Sequence, residues 1–196
     1  MGTEIKPRYR KRLRAEQEAQ TRERITEAAV RLHGTVGPAN TTIAGIAKAA
    51  GVQRATVYRH FRDEEAIFDA CTAHFYARHP LPDPARWEEI RDPDERLRAA
   101  LAAIYAFYDA AAPMLSKTQR DRDHVPPKAR AAFLGYFELI HGTLMRGRRE
   151  RGRRRARVGA AIGHAIAFAT WVSLVETGGL ADEDAIDLVA GMVASA

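Results

Sequence analysis

Cysteine is nearly missing from this chain: Cys71 is the single example in 196 residues. That excludes an internal disulfide and a multi-cysteine zinc site, and nothing calls for an oxidising compartment. Sustained period-2 alternation rich in Val, Ile and Thr is lacking too, which argues against a β architecture. Catalytic signatures are missing as well. There is no GxSxG, P-loop, HExxH or paired CxxC, and Gly178 and Gly179 do not form a phosphate loop. His74 and His79 are five residues apart, off the i, i+4 spacing that places two ligands on one helical face, and His141 and His164 lie in different segments. The compact acid and imidazole group Asp121, Asp123 and His124 suits a polar loop or a helix cap better than catalysis. The expectation is a protein that is not an enzyme, with no cofactor and no metal. No apolar stretch or small-residue cleavage site follows the basic Met1–Arg14, so a secretory signal is not expected and a cytoplasmic location is.

What is present is helical and unevenly charged. Apolar residues make up 46%, with Ala and Leu recurring at helical intervals, so an all-α fold is expected. Net charge is +6. Residues 1–62 hold 13 Lys and Arg against 5 Asp and Glu, whereas the remaining residues hold 18 against 20. A compact basic module on a near-neutral body points to a polyanion, nucleic acid first.

Along the chain, residues 1–20 contain the basic run KPRYRKRLR (6–14) without an apolar stripe and read as a flexible basic arm, either a solvated tail or a direct DNA contact. Ile25, Ala28, Ala29, Leu32 and Val36 fall on one face of a helix beginning at Thr21 and stopped by Gly34, Gly37 and Pro38. Thr41 and Thr42 can cap a short helix over 43–50, with Ile43, Ile46 and Ala47 inward, and Gly51 suits the left-handed stop. A third helix is predicted from Arg54 to His60. Asp63 caps a fourth through about His79, and Pro80, Pro82 and Pro84 then form a linker. The predicted division is a flexible arm 1–20, a basic helical module 21–66, and a helical body 67–196.

The stretch TTIAGIAKAAGVQRATVYRHF (41–61) meets the steric demands of a helix-turn-helix. A small residue is needed where the helices cross, a residue tolerant of positive φ at the turn, and an apolar clamp on the second helix. Ala47, Gly51 and Val57 supply them. Val52 and Phe61 add core contacts, leaving Gln53, Arg54, Thr56, Tyr58, Arg59 and His60 on other faces. Arg can bond guanine bidentately, Gln can bond adenine, a Thr methyl can touch thymine, and Tyr and His suit phosphate.

The helix over 21–36, TTIAGIAKAAGV, ATVYRHF and the DEEAIF start of the fourth helix, taken in order and spacing, resemble the tetracycline-repressor (TetR) family over about residues 21–70. The segment ATWVSLVETGGLADEDAIDLV (169–189) is similar to that family's final two helices. The resemblance implies that Thr42 caps the second helix and touches phosphate. Gln53, Arg54, Thr56 and Tyr58 then lie in or beside the major groove, with Arg59 and His60 near the backbone. One departure is Glu64, where family members often carry a phosphate-contacting lysine; Arg62 or the arm can take its place.

Under the same resemblance, residues 158–175, uncharged throughout, and 182–195 of each subunit make a four-helix dimer interface, with Ile162, Ile166, Ala169, Leu174, Ile186, Val189 and Val193 in it. A two-fold dimer matches a near-palindromic operator. The competing view of 158–175 is a membrane span beside an arginine-rich flank, but its Ala, Gly, Ser, Thr and His164 make it a poor one, and no membrane partner is expected. The flank RGRRERGRRRAR (146–157) holds eight arginines against one glutamate and reads as a solvated helix end and loop, or as a second polyanion contact. Tyr105, Tyr108, Phe133, Phe137, His141 and Trp171 could line a small-molecule pocket, although each also suits a plain core. Two functions follow: a regulator, repressing until a largely apolar ligand releases it, or a sequence-neutral architectural nucleic-acid protein.

Overall fold

The computed structural model describes residues 7–196, with side-chain surroundings from Tyr9 onward. Met1 to Lys6 of the predicted arm lie outside the described residues. The fold is all-α, with no strand among the described residues. Two compact units are present. One holds residues 7–78 together with 113–126, and the other holds 79–112 and 127–196.

In the first unit, helix α1 (Pro7–Thr35) is followed by a 3₁₀ turn (Pro38–Asn40), α2 (Ile43–Ala50), α3 (Arg54–His60) and α4 (Glu64–Arg78). Ile25, Ala28 and Ala29 of α1 meet Ile43, Ile46, Ala47 and Ala50 of α2, Val57 of α3, Phe61, and Ile67 and Cys71 of α4 in one core. The predicted stripe holds at its centre and fails at its end. Val36 is 41% exposed because α1 stops at Thr35.

Two further expectations are corrected here. Residues 7–20 are helical, and every side chain from Tyr9 to Gln20 is exposed. Arg, Lys, Gln, Glu and Ala are strong helix formers, and extending an existing helix is easy once packing at Ile25 has nucleated it. Ion pairs Arg12–Glu16 and Arg14–Glu18, at 2.8 and 3.3 Å, add i, i+4 support. The division at 66/67 also moves. It would cut α4 just ahead of Ile67 and Cys71, both buried in the first core, so α4 belongs there whole.

The second unit carries α5 (Ala85–Glu88), the longer part of α6 (Pro93–Arg120), α7 (Pro127–Met145), α8 (Gly152–Ala165), α9 (Phe168–Trp171), a π-helical turn (Val172–Thr177) and α10 (Asp182–Ser195). The predicted single helix over 158–175 is broken instead, α8 and the segment Phe168–Thr177 lying 65° apart. The break is stitched by hydrogen bonds. Tyr105 and Tyr108, one turn apart on α6, donate their hydroxyls to the carbonyls of Ala165 (3.0 Å) and Ile166 (2.6 Å), while Thr170 Oγ1 donates to the His164 carbonyl at 2.6 Å. The Ala165 and Ile166 carbonyls lie where the end of a helix leaves such groups without backbone donors, and the Thr170 hydroxyl adds to the Ala167 amide already on the His164 carbonyl.

Arg96 does similar work where α5 and α7 end. Only 6% exposed, it donates to the carbonyls of Trp87, Ile90, Arg91, Thr143 and Arg146. A buried guanidinium is tolerated when its donors are satisfied, and the carbonyl ends of helices favour a cation. Two of the clustered arginines are also structural. Arg148, with its side chain 5% exposed, pairs with Asp94 at 3.0 Å, and Arg146 pairs with Glu88 at 2.7 Å. Arg149, Arg151, Arg153, Arg154, Arg155 and Arg157 are exposed.

Candidate nucleic-acid interface

Helix α2 starts where Thr42, in extended conformation, accepts the amide of Gly45 on its hydroxyl at 3.0 Å. It stops at Gly51, whose φ of 66° and ψ of 39° put it in the left-handed region. There the Val52 amide reaches back to the Ala47 carbonyl at 2.9 Å, the closure expected of a glycine-terminated helix. Only two residues, Val52 and Gln53, separate Gly51 from α3, so the chain reverses sharply.

Helix α3 is held from below. Val57 has no exposure, and Phe61 just past the helix has 2%. Above this anchor, Gln53, Arg54 and Arg59 are exposed, Tyr58 is 50% exposed, and Thr56 is half-buried. The predicted clamp and outward face therefore coincide on one seven-residue helix. Thr42 is also exposed, so its hydroxyl can cap α2 and still stand at the surface. His60 differs from the rest. It is half-buried, its Nε2 has no partner among the described residues, and burial first, then the charges of Arg59 and Arg22, lowers its pKa. The shift favours the neutral imidazole.

Sequence reasoning missed two arginines of α1 that support this surface. Arg22 donates to the His60 carbonyl at 2.5 Å, with its guanidinium carbon 4.0 Å above the Phe61 ring. Arg31 donates to the Ala49 carbonyl at 3.3 Å. Each places a cation at the carbonyl end of a helix, α3 and α2 respectively, where the helix dipole favours it. In the sequence they look like any exposed basic residue, because their partners lie 38 and 18 positions away.

The suggested ligand residues separate into two sets. Tyr105 and Tyr108 have no exposure and Trp171 has 2%. The two tyrosine hydroxyls hold the α8 break, and the Trp171 indole donates to Asp182 at 3.2 Å. These three are core pillars with committed polar tips, and burial pushes the Tyr105 phenol up to about 12. Phe133, Phe137 and His141 are half-buried on α7, the two phenylalanine rings 4.8 Å apart and His141 Nε2 2.9 Å from the Gly159 carbonyl oxygen.

The seven residues of the expected dimer set differ in burial within one chain. Ile162, Ile166, Ile186, Val189 and Val193 are 9% exposed or less, packed inside their own protomer. Leu174 is half-buried and Ala169 exposed. Large apolar surface on α10 belongs instead to Leu188 (55%) and Met192 (40%), one turn apart. Among the described residues, no group of three or more His, Cys, Asp and Glu is arranged to hold a metal ion.

Residues 25–71, the core of this surface, match the family described as bacterial regulatory proteins, tetR family. The HTH-type transcriptional regulator AcrR of Shigella flexneri is 45% identical over 56 residues, covering 28% of this chain and 26% of AcrR. TtgR of Pseudomonas putida, also an HTH-type transcriptional regulator, is 35% identical over 94 residues, covering 47% of this chain and 45% of TtgR. These matches thus span less than half of either relative. Among solved structures, the TetR-like transcriptional regulator from Rhodococcus sp. RHA1 superposes with a TM-score of 0.62 at 19% identity, over 88% of this chain and 93% of that one. The TetR family transcriptional regulator PfmR from Thermus thermophilus gives a TM-score of 0.62 at 20% identity, over 86% and 96%. The last two establish likeness of fold, and the likeness in sequence is carried by the helix-turn-helix residues: over residues 25–71 the chain matches the tetR family of bacterial regulatory proteins.

Proposed function

We propose that this protein is a homodimeric, sequence-specific DNA-binding repressor of the cytoplasm, seated on a near-palindromic operator and released by a small, largely apolar ligand. One observation carries it: α3 is anchored by Val57 and Phe61 so that Arg54 and Tyr58 stand outward beyond the Gly51 turn. A seven-residue helix presented this way fits the major groove, where Arg and Gln pair with base edges and Thr42, Tyr58 and Arg59 reach phosphates. Phe133, Phe137 and His141 remain the best effector candidates, because they are half-buried rather than locked in the core. Leu188 and Met192 supply the apolar contact for a second copy.

Selection of genomic fragments by the purified protein tests the proposal and recovers the site, its symmetry and its half-site spacing in one measurement. The selected site should bind at least about 10³-fold more tightly than random duplex. Arg54→Ala and Tyr58→Ala should each weaken operator binding about tenfold or more, with helicity and assembly unchanged. The six exposed arginines between 149 and 157 favour a second reading, a sequence-neutral architectural protein. Equal affinity for selected and random duplex would support that reading and end the repressor proposal.

A further inference from the structure

The turn before the helix-turn-helix lacks a cap of its own. The 3₁₀ turn Pro38–Asn40 is preceded by Gly37, whose φ of 91° lies where an L side chain is strained, and no side chain at that position caps the turn. The missing acceptor comes from far along the chain but within the same unit. Asp121, 7% exposed, accepts the Ala39 amide on Oδ2 at 3.1 Å. Arg120 holds both carboxylate oxygens, Nε to Oδ1 at 2.7 Å and Nη2 to Oδ2 at 2.9 Å, and the same Nη2 donates to the Val36 carbonyl at 2.8 Å. From inside the corner, Asn40 Nδ2 donates to the Val36 carbonyl at 3.2 Å and Thr41 Oγ1 to the Gly37 carbonyl at 2.8 Å. A Cβ on Gly37 would collide with Asp121 Oδ2 and Arg120 Nη2, so the glycine makes room for this pair.

We propose that Asp121, clamped by Arg120, is a positioning residue for the DNA-reading helices: it caps the Val36–Thr41 corner from outside and so fixes where α2 begins. Thr42, the cap of α2, follows the corner directly, and the Gly51 turn carries the placement of α2 on to α3. Arg120, by its hydrogen bond first, holds the Asp121 carboxyl down to about 2, so the cap is ionised near pH 7. Residues 120 and 121 are therefore functional parts of a head that sequence motifs confine to residues before 71.

The inference rests on the DNA-binding proposal, so its test reads both DNA and the corner itself. Full-length protein carrying Asp121→Ala or Asp121→Asn is assayed on the selected operator, and amide hydrogen exchange is followed at Ala39 and Gly45. The alanine variant should bind about tenfold more weakly and exchange faster at both amides, while asparagine, which keeps an acceptor for Ala39, stays within about threefold of wild type. If the alanine variant does not fold, Arg120→Gln replaces it, with weaker binding by several-fold expected. Unchanged operator affinity in the folded alanine or Arg120→Gln variant overturns the proposal. So does asparagine failing as alanine does, or faster exchange that stops at Ala39 and leaves Gly45 untouched. If the wild type selects no DNA at all, the functional reading falls on its own, and exchange at Gly45 still decides whether Asp121 positions α2.

Discussion

His33 and Cys71 meet in the core of the first unit, Nδ1 to Sγ at 3.2 Å, with the imidazole 5.3 Å from the Phe68 ring between centroids. Burial holds His33 down to about 4 and pushes the Cys71 thiol up to about 12, so both are neutral near pH 7. A neutral, buried thiol is poorly reactive. Charging His33 is costly only in the folded state, so its contribution to stability is complete above the unfolded pKa of about 6.5. It falls as pH drops toward about 4, by a total of ~3 kcal/mol. Thermal unfolding from pH 7 to 4.5 should show a loss in the wild type that is smaller in His33→Phe. An identical acid loss in both would remove His33 as its cause.

At the level of helices, the break between α8 and α9 shows how tertiary contacts overrule a hydrophobic pattern. An uncharged run can continue as helix, and nothing local to Ile166 and Ala167 forbids it. The two phenols of α6 stabilise the interruption by donating to carbonyls that the end of α8 leaves open, and Thr170 covers the carbonyl of His164. Tyr105→Phe and Tyr108→Phe each leave one buried carbonyl short, at ~1 to 2 kcal/mol apiece. Chemical denaturation should show the double variant losing ~2 to 4 kcal/mol, with the proposed operator affinity per folded protein unchanged. A loss near zero would mean that the break is held by packing alone.

For the whole molecule, assembly depends on which apolar groups the protomer leaves uncovered. Five of the seven residues first assigned to the interface are used up in the chain's own core, whereas Leu188 and Met192 are not. If the proposed dimer forms through them, Leu188→Asp with Met192→Asp should convert it to monomer in sedimentation velocity, with helicity retained, because a charge on an apolar contact is penalised only when a partner covers it. With half-sites no longer tethered, the operator should bind far more weakly. A variant that stays dimeric would place the interface elsewhere.

Local chemistry in the sequence was sufficient for the helical class, the basic first third, and the capped, glycine-turned pair of helices with an outward Arg54 and Tyr58. Each of these rests on contacts within a few turns, where spacing dictates which face is buried. The helical state of residues 7–20, the membership of α4 in the first core, the broken α8, the carbonyl-bound Arg96 and the Asp121 cap of a turn 82 positions away were decided only by tertiary structure. The reason is physical. A spacing rule can say that a side chain faces inward, but which backbone group waits there depends on distant segments, and a buried polar atom takes whichever partner the fold delivers.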